Sequence, residues 1–181
     1  RASEPEPALR VAPPPEATVR NVEERLRGLI PTAVRVTVED NVWIAGNGDG
    51  IVQKYTHDGK TLLLQIGTRG KCDWPANNNA CGNSGGDPAA NQSHTLLNEP
   101  ADIAVDPANG EIYVADGYGN HRVVVFDKTG QWLRQWGSSG TGPGQYQPAD
   151  GGHPHCVVIA RDGLVYTCDR GSDRLQVFDK Q

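Results

Sequence analysis

The sequence predicts an all-β chain, part of a β-propeller, assembled from short four-stranded antiparallel units. Three stretches align with one another: VWIAGNGDGIVQKYTHDG (42–59), IYVADGYGNHRVVVFDKTG (112–130) and VYTCDRGSDRLQVFDK (165–180). In each, two apolar runs flank a corner rich in Gly, Asp or Asn, and such self-similarity marks a repeat architecture. Around these hairpins lie further short apolar runs, at the spacing of a four-stranded blade.

Taken in order, residues 1–33 form a proline-rich extension that includes Pro13-Pro14-Pro15 and carries no apolar periodicity. It reads as a tether stiffened by proline. Near its end, Asn21 is placed to cap a short helix with Glu24 at the third position, and Gly28 to stop it. Residues 34–181 hold the blades. Strands are expected ahead of the three hairpins at Val34–Val38, Asp102–Val105 and Cys156–Ala160. Outer strands are expected at Leu62–Ile66 and Trp132–Trp136, closed by Gly67 and Gly137. In the third unit the hairpin strands are Leu164–Cys168 and Arg174–Phe178, with no fourth strand before Gln181. The corners Asp58-Gly59, Asn109-Gly110 and Asp162-Gly163 supply residues that tolerate positive φ. Two polar, glycine-rich insertions, 68–97 and 138–154, lengthen the spacing well beyond a blade repeat of about 40–45 residues. Loops of that length in a compact domain are usually functional or disordered.

Composition narrows the function classes. The chain is 36% hydrophobic and 22% charged, with 22 glycines, 13 prolines, two phenylalanines and no methionine. That balance suits a globular, turn-rich β domain. A net charge of −5 without any basic run gives little support to nucleic-acid binding. No apolar stretch approaches the roughly 18 residues of a membrane-spanning helix. Four cysteines point to an oxidising compartment, secreted or periplasmic. Cys72 and Cys81 are expected to close a local disulfide inside the first insertion. Cys156 and Cys168 are symmetric about Asp162, so they should face each other across two strands. Asn91-Gln92-Ser93 is a formal glycosylation acceptor.

Two segments, NEPADIAVDPANGEIYVADGYGNHRVVVFDKTGQWLRQWG and PHCVVIARDGLVYTCDRGSDRLQVFD, resemble NHL repeats. Within that superfamily they look like the propeller of peptidyl-hydroxyglycine amidating lyases and their bacterial relatives, over about 34–181. The resemblance implies a six-bladed propeller with a zinc ion held by histidines ahead of innermost strands. It implies a tyrosine in the DGY corner and an arginine in the DR corner as catalytic residues. By position, His155 matches a zinc histidine, Tyr118 the tyrosine and Arg170 the arginine. Pro31-Thr32 departs from the pattern, because the lyases have a zinc histidine after that proline. A third zinc histidine would lie beyond Gln181.

Each candidate residue has a second reading. Tyr118, His155 and Arg170 would converge at a channel mouth and bind an anionic or carbonyl-bearing ligand, with His153 a further ligand- or partner-binding candidate, or Tyr118 and Arg170 would simply pack and hydrogen-bond at blade corners. Asp102, Asp116 and Asp169 would ligate calcium, or accept backbone N–H groups within turns. His153, His155, Cys156 and Cys168 would form a soft-metal cluster, or the two cysteines would pair with each other. The runs Gly46–Gly50 and Gly140–Gly144 lack the lysine of a phosphate-binding loop and read as turns. The function expected is a binding or scaffolding propeller module that contacts a protein partner or further blades. The alternative is a metal-dependent lyase or hydrolase.

Overall fold

The computed structural model describes residues 31–36, 41–46, 48–148 and 153–180. Residues 1–30 of the proline-rich extension, with the Asn21 helix, and the positions of Thr37 and Val38 lie outside the described residues, while residues 31–33 belong to the first strand. The chain forms a partial β-propeller of antiparallel sheets in chain order. Blade 1 contains β1 (Pro31–Val36), β2 (Val42–Gly46), β3 (Ile51–Tyr55) and β4 (Leu62–Ile66). Blade 2 contains β5 (Asp102–Val105), β6 (Ile112–Asp116), β7 (Arg122–Phe126) and β8 (Trp132–Trp136). A short parallel pair, β9 (Ser138–Ser139) with β10 (Gln145–Tyr146), organises the second insertion. Blade 3 follows as β11 (Pro154–Ile159), β12 (Val165–Asp169) and β13 (Arg174–Phe178).

Strand identity follows the apolar runs, while strand starts shift at the inner edge. β1 begins at Pro31 rather than Val34, and β11 at Pro154 rather than Cys156. Proline has no N–H to donate, so it is tolerated as the first residue of a strand. A register irregularity between Pro154 and Val157 absorbs the extra length of β11. The β12 strand runs Val165–Asp169, one position later than Leu164–Cys168, because Asp169 pairs with both Pro154 and Arg174. At the hairpin corners Gly59, Gly110 and Gly163 have φ of 69°, 78° and 84°, the left-handed region that their turns require.

Blades stack through the two faces of blade 2. Trp43, Val52 and Ile66 of blade 1 pack on Ile103, Val114, Val124 and Phe126. On the opposite face Tyr113, Val123 and Val125 meet Val157 and Val165 of blade 3. Every residue of β7 is therefore buried, which explains its weak apolar alternation. The outer side of blade 3 exposes Val158, Leu175 and Val177 by 46%, 65% and 50%.

Both expected disulfides are formed. Cys72 and Cys81 close a loop of sequence separation 9, and Cys156 bonds Cys168 across β11 and β12. Among the described residues no helix is long and apolar enough to cross a membrane.

Candidate functional site

The site is built on the corner between β6 and β7. Asp116 ends β6 fully buried. Its Oδ1 accepts the Asn98 N–H at 2.7 Å, and its Oδ2 accepts Asn120 Nδ2 at 2.7 Å and Arg122 Nε at 2.9 Å. Arg122, also fully buried, then donates Nη1 to the Ser93 carbonyl and Gln135 Oε1, and Nη2 to the Leu96 carbonyl. Asp73 Oδ2 lies 3.4 Å from the same guanidinium and accepts the Ser93 N–H. A charge so deeply buried is tolerable only when paired and fully hydrogen-bonded. One ion pair thus ties the first insertion to blade 2.

Asn98 completes the tie. Its side chain accepts the Gly82 N–H and donates to the Gly82 carbonyl, beside the Cys72–Cys81 disulfide. A Cβ on Gly119 would run into the Asn98 side chain, and one on Gly117 into the Pro154 carbonyl. The DGYG corner therefore needs both glycines for close approach. Blade 3 repeats the device, with Arg174 Nε donating to Asp169 Oδ2 at 2.9 Å. The guanidinium also donates to the carbonyls of Thr141, Gly142 and Gln145 in the second insertion.

Between these anchors Tyr118, His155 and Arg170, the three residues expected to converge, come together with His153 beside them. Tyr118 Oη and His155 Nε2 share a hydrogen bond of 2.7 Å. The Arg170 guanidinium lies over the Tyr118 ring at 5.3 Å, within cation–π range. His153 is tilted against Tyr118 at 6.0 Å. His155, Arg170 and Arg174 line a cleft of about 320 Å³, with Cys168 and Asp173 on its wall. Burial lowers the pKa of His155, and the positive charge of Arg170 lowers it further. Burial drives His153 down to about 3, helped by neighbouring His121 and Arg170. The cleft thus sets the His155 imidazole, hydrogen-bonded to the Tyr118 phenol, beside the guanidinium groups of Arg170 and Arg174.

The metal readings fare differently. Cys156 and Cys168 are bonded to each other, so the His/Cys cluster is corrected: neither sulfur is a thiolate ligand. The carboxylates of Asp116 and Asp169 are occupied by arginine and backbone N–H donors, and Asp102 Oδ2 accepts the Val157 N–H. These aspartates act as structural acceptors that join blades and insertions, and they do not fit calcium. Nor do the residues fit a three-ligand catalytic zinc. His155 already uses Nε2 on Tyr118, threonine stands at position 32, and among the described residues no group of three ligating side chains gathers.

Sequence reading missed His121 and Arg122, although both stand in the DGYGNHR segment beside Tyr118. His121 packs edge to face on His153 at 5.2 Å. Asn91 also holds the corner, because its Oδ1 accepts the His121 N–H.

The NHL repeat family matches residues 97–126 and 152–178, which span the inner strands of blade 2 and all of blade 3. This is an NHL-repeat chain. It is 32% identical to NHL repeat-containing protein 3 of Homo sapiens over 154 residues, 82% of this chain and 38% of that protein. It is 35% identical to the peptidyl-glycine alpha-amidating monooxygenase of Mus musculus over 94 residues, 50% of this chain and 9% of that protein. A probable peptidyl-alpha-hydroxyglycine alpha-amidating lyase of Caenorhabditis elegans is 26% identical, with 87% of this chain and 39% of that protein aligned. The NHL-repeat chain thus spans less than half the length of each of these relatives. A solved auxiliary nutrient binding protein from Bacteroides thetaiotaomicron shares the fold, with a TM-score of 0.52 and 17% identity. That likeness covers 80% of this chain and 36% of the neighbour.

Proposed function

We propose that the NHL-repeat chain is a binding module whose Tyr118–His155–Arg170 cluster takes a small ligand bearing a carboxylate or carbonyl. The observation that carries this reading is the 2.7 Å Tyr118–His155 hydrogen bond beneath the Arg170 guanidinium, at the mouth of an open cleft. An arginine supplies the forked donor set that a carboxylate matches, and the phenol and imidazole orient it. His153 supports the Tyr118 ring from behind. The exposed apolar side of blade 3 supports a protein partner or a further blade packed against Val158, Leu175 and Val177. Two disulfides support residence in an oxidising compartment, secreted or periplasmic. Calorimetric titration with a short peptide ending in a free carboxylate tests the site. Saturable binding should weaken by about tenfold, roughly 1.4 kcal/mol, in Arg170→Ala. Binding that is absent, or equal in the two proteins, refutes the reading.

One observation favours a second reading, an amidating lyase. Tyr118, His155 and Arg170 occupy the positions that the resemblance assigns to that activity, and they touch one another. Its test is formation of amide from a peptidyl-α-hydroxyglycine with zinc supplied. No amide above the protein-free rate refutes it.

A further inference from the structure

The cleft at His155 carries charge of both signs and an apolar wall. His155, Arg170, Asp173, Arg174 and Leu175 line it, together with Cys168 of the Cys156–Cys168 disulfide.

Only part of that lining can meet an anion. Arg174 is committed to the fold, because its Nε donates to Asp169 and its Nη groups donate to the carbonyls of Thr141, Gly142 and Gln145. Burial and the charge of Arg170 lower the pKa of His155, so the imidazole adds no second cation. The cleft therefore meets an anion through the exposed Arg170 guanidinium, whose fork matches a single carboxylate. A dianion would find one guanidinium and a negative charge beside it.

That negative charge is Asp173. Arg170 opens a short 3-10 turn and Asp173 closes it, with the Asp173 N–H reaching the Arg170 carbonyl at 3.4 Å. Side chains three apart in such a turn lie on the same side. Asp173 has a φ of 49°, a left-handed value that aspartate tolerates better than most residues. Its carboxylate is exposed, and among the described residues no ion pair takes it up. Next in the chain but one, Leu175 is 65% exposed and pairs across the strands with Cys168. A leucine side chain and a disulfide thus stand next to the two charges.

We propose that the ligand of this cleft is a free α-amino acid with an apolar side chain, an inference that rests on the carboxylate reading. Its carboxylate sits on Arg170 beside the Tyr118–His155 pair, and its ammonium faces Asp173. Its side chain lies on Leu175 and the disulfide. An α-amino acid carries both charges on one carbon, which suits two residues at the ends of a single turn. The cleft of about 320 Å³ is at the small end of the roughly 300–1,000 Å³ range of ligand pockets, which favours one amino acid over a longer peptide.

Calorimetric titration with leucine, N-acetyl-leucine and glycine tests the proposal. Leucine should bind about fivefold more tightly than N-acetyl-leucine, which keeps the carboxylate but loses the ammonium; that is the size expected of an exposed charge pair. Glycine, which lacks the apolar side chain, should bind about tenfold more weakly than leucine. Asp173→Asn should erase the preference for leucine over its acetylated form, and asparagine also tolerates the left-handed turn position. The proposal is overturned if N-acetyl-leucine or glycine binds as well as leucine, or if the preference survives Asp173→Asn. In those cases binding that weakens in Arg170→Ala leaves the carboxylate reading standing. If none of the three ligands binds, the proposal falls, and the carboxylate reading falls with it only where the free-carboxylate peptide is silent too.

Discussion

Replacing Arg122 by methionine should be among the most damaging single changes available in this chain. The side chain is fully buried, as is Asp116, and Asp73 is only 2% exposed. Methionine fills much of the volume but makes none of the four hydrogen bonds to Asp116, Ser93, Gln135 and Leu96. Two carboxylates then remain buried without their cation. Removing one partner of a buried ion pair costs about 3–5 kcal/mol. The Asn98 and Asn120 donors to Asp116 persist, which argues for the middle of that range, about 4 kcal/mol. For a domain near 150 residues each kcal/mol moves Tm by roughly 2–4 °C, so a drop on the order of 10 °C is expected. Urea unfolding of Arg122→Met beside Arg174→Met is the assay. Arg174 makes a parallel set of bonds but is 29% exposed, so its loss should cost less, about 1–3 kcal/mol. Equal losses, or a loss below about 1 kcal/mol for Arg122→Met, would show that burial of the pair is not what holds the insertion.

Three further outcomes follow from the same geometry. Cys72→Ser with Cys81→Ser should lower stability by up to about 2.5 kcal/mol, the loop-closure entropy of so short a crosslink, read by denaturant midpoint. Gly117→Ala should cost about 1–3 kcal/mol, because the new Cβ meets the Pro154 carbonyl; thermal unfolding indistinguishable from the parent would contradict the close approach. Burial lowers His121 to about 4 and His153 to about 3, both below an unfolded value near 6.5. Unfolded chain then binds the extra protons, so stability is complete above about pH 6.5 and declines as pH falls through 4 toward 3. The double variant His121→Phe with His153→Phe should flatten that decline, and an unchanged pH profile would place the acid sensitivity elsewhere.

The repeat was legible because its physics is local. Apolar runs such as Val123–Phe126, and corners such as Asp162-Gly163, announce strands and turns without reference to anything distant. The Cys156–Cys168 bond was legible for the same reason, since symmetry about Asp162 fixes the register. Tyr118, His155 and Arg170 could be brought together only through resemblance, because spacing alone does not show which blade corners converge. What stayed hidden depends on insertions folding back over blades. Nothing near Arg122 in sequence shows that carbonyls 26 and 29 positions away will surround it. His121 was hidden similarly, because its significance rests on contact with His153 from the following blade. Asp116 was read as accepting N–H groups within its own turn; its backbone donor is instead Asn98, 18 positions away, and its other partners are the side chains of Asn120 and Arg122.

The two arginine corners differ from most loop anchors in what they recognise. Arg122 grips the first insertion at the main-chain oxygens of Ser93 and Leu96, and Arg174 grips the second at those of Thr141, Gly142 and Gln145. Every residue carries such an oxygen, so at those points the socket is indifferent to side-chain identity. Loops of altered sequence can plug into the same scaffold provided their backbone path presents carbonyls at the same places. Each blade corner is thus a standard fitting, and the insertions can change in sequence while the strands beneath them stay as they are.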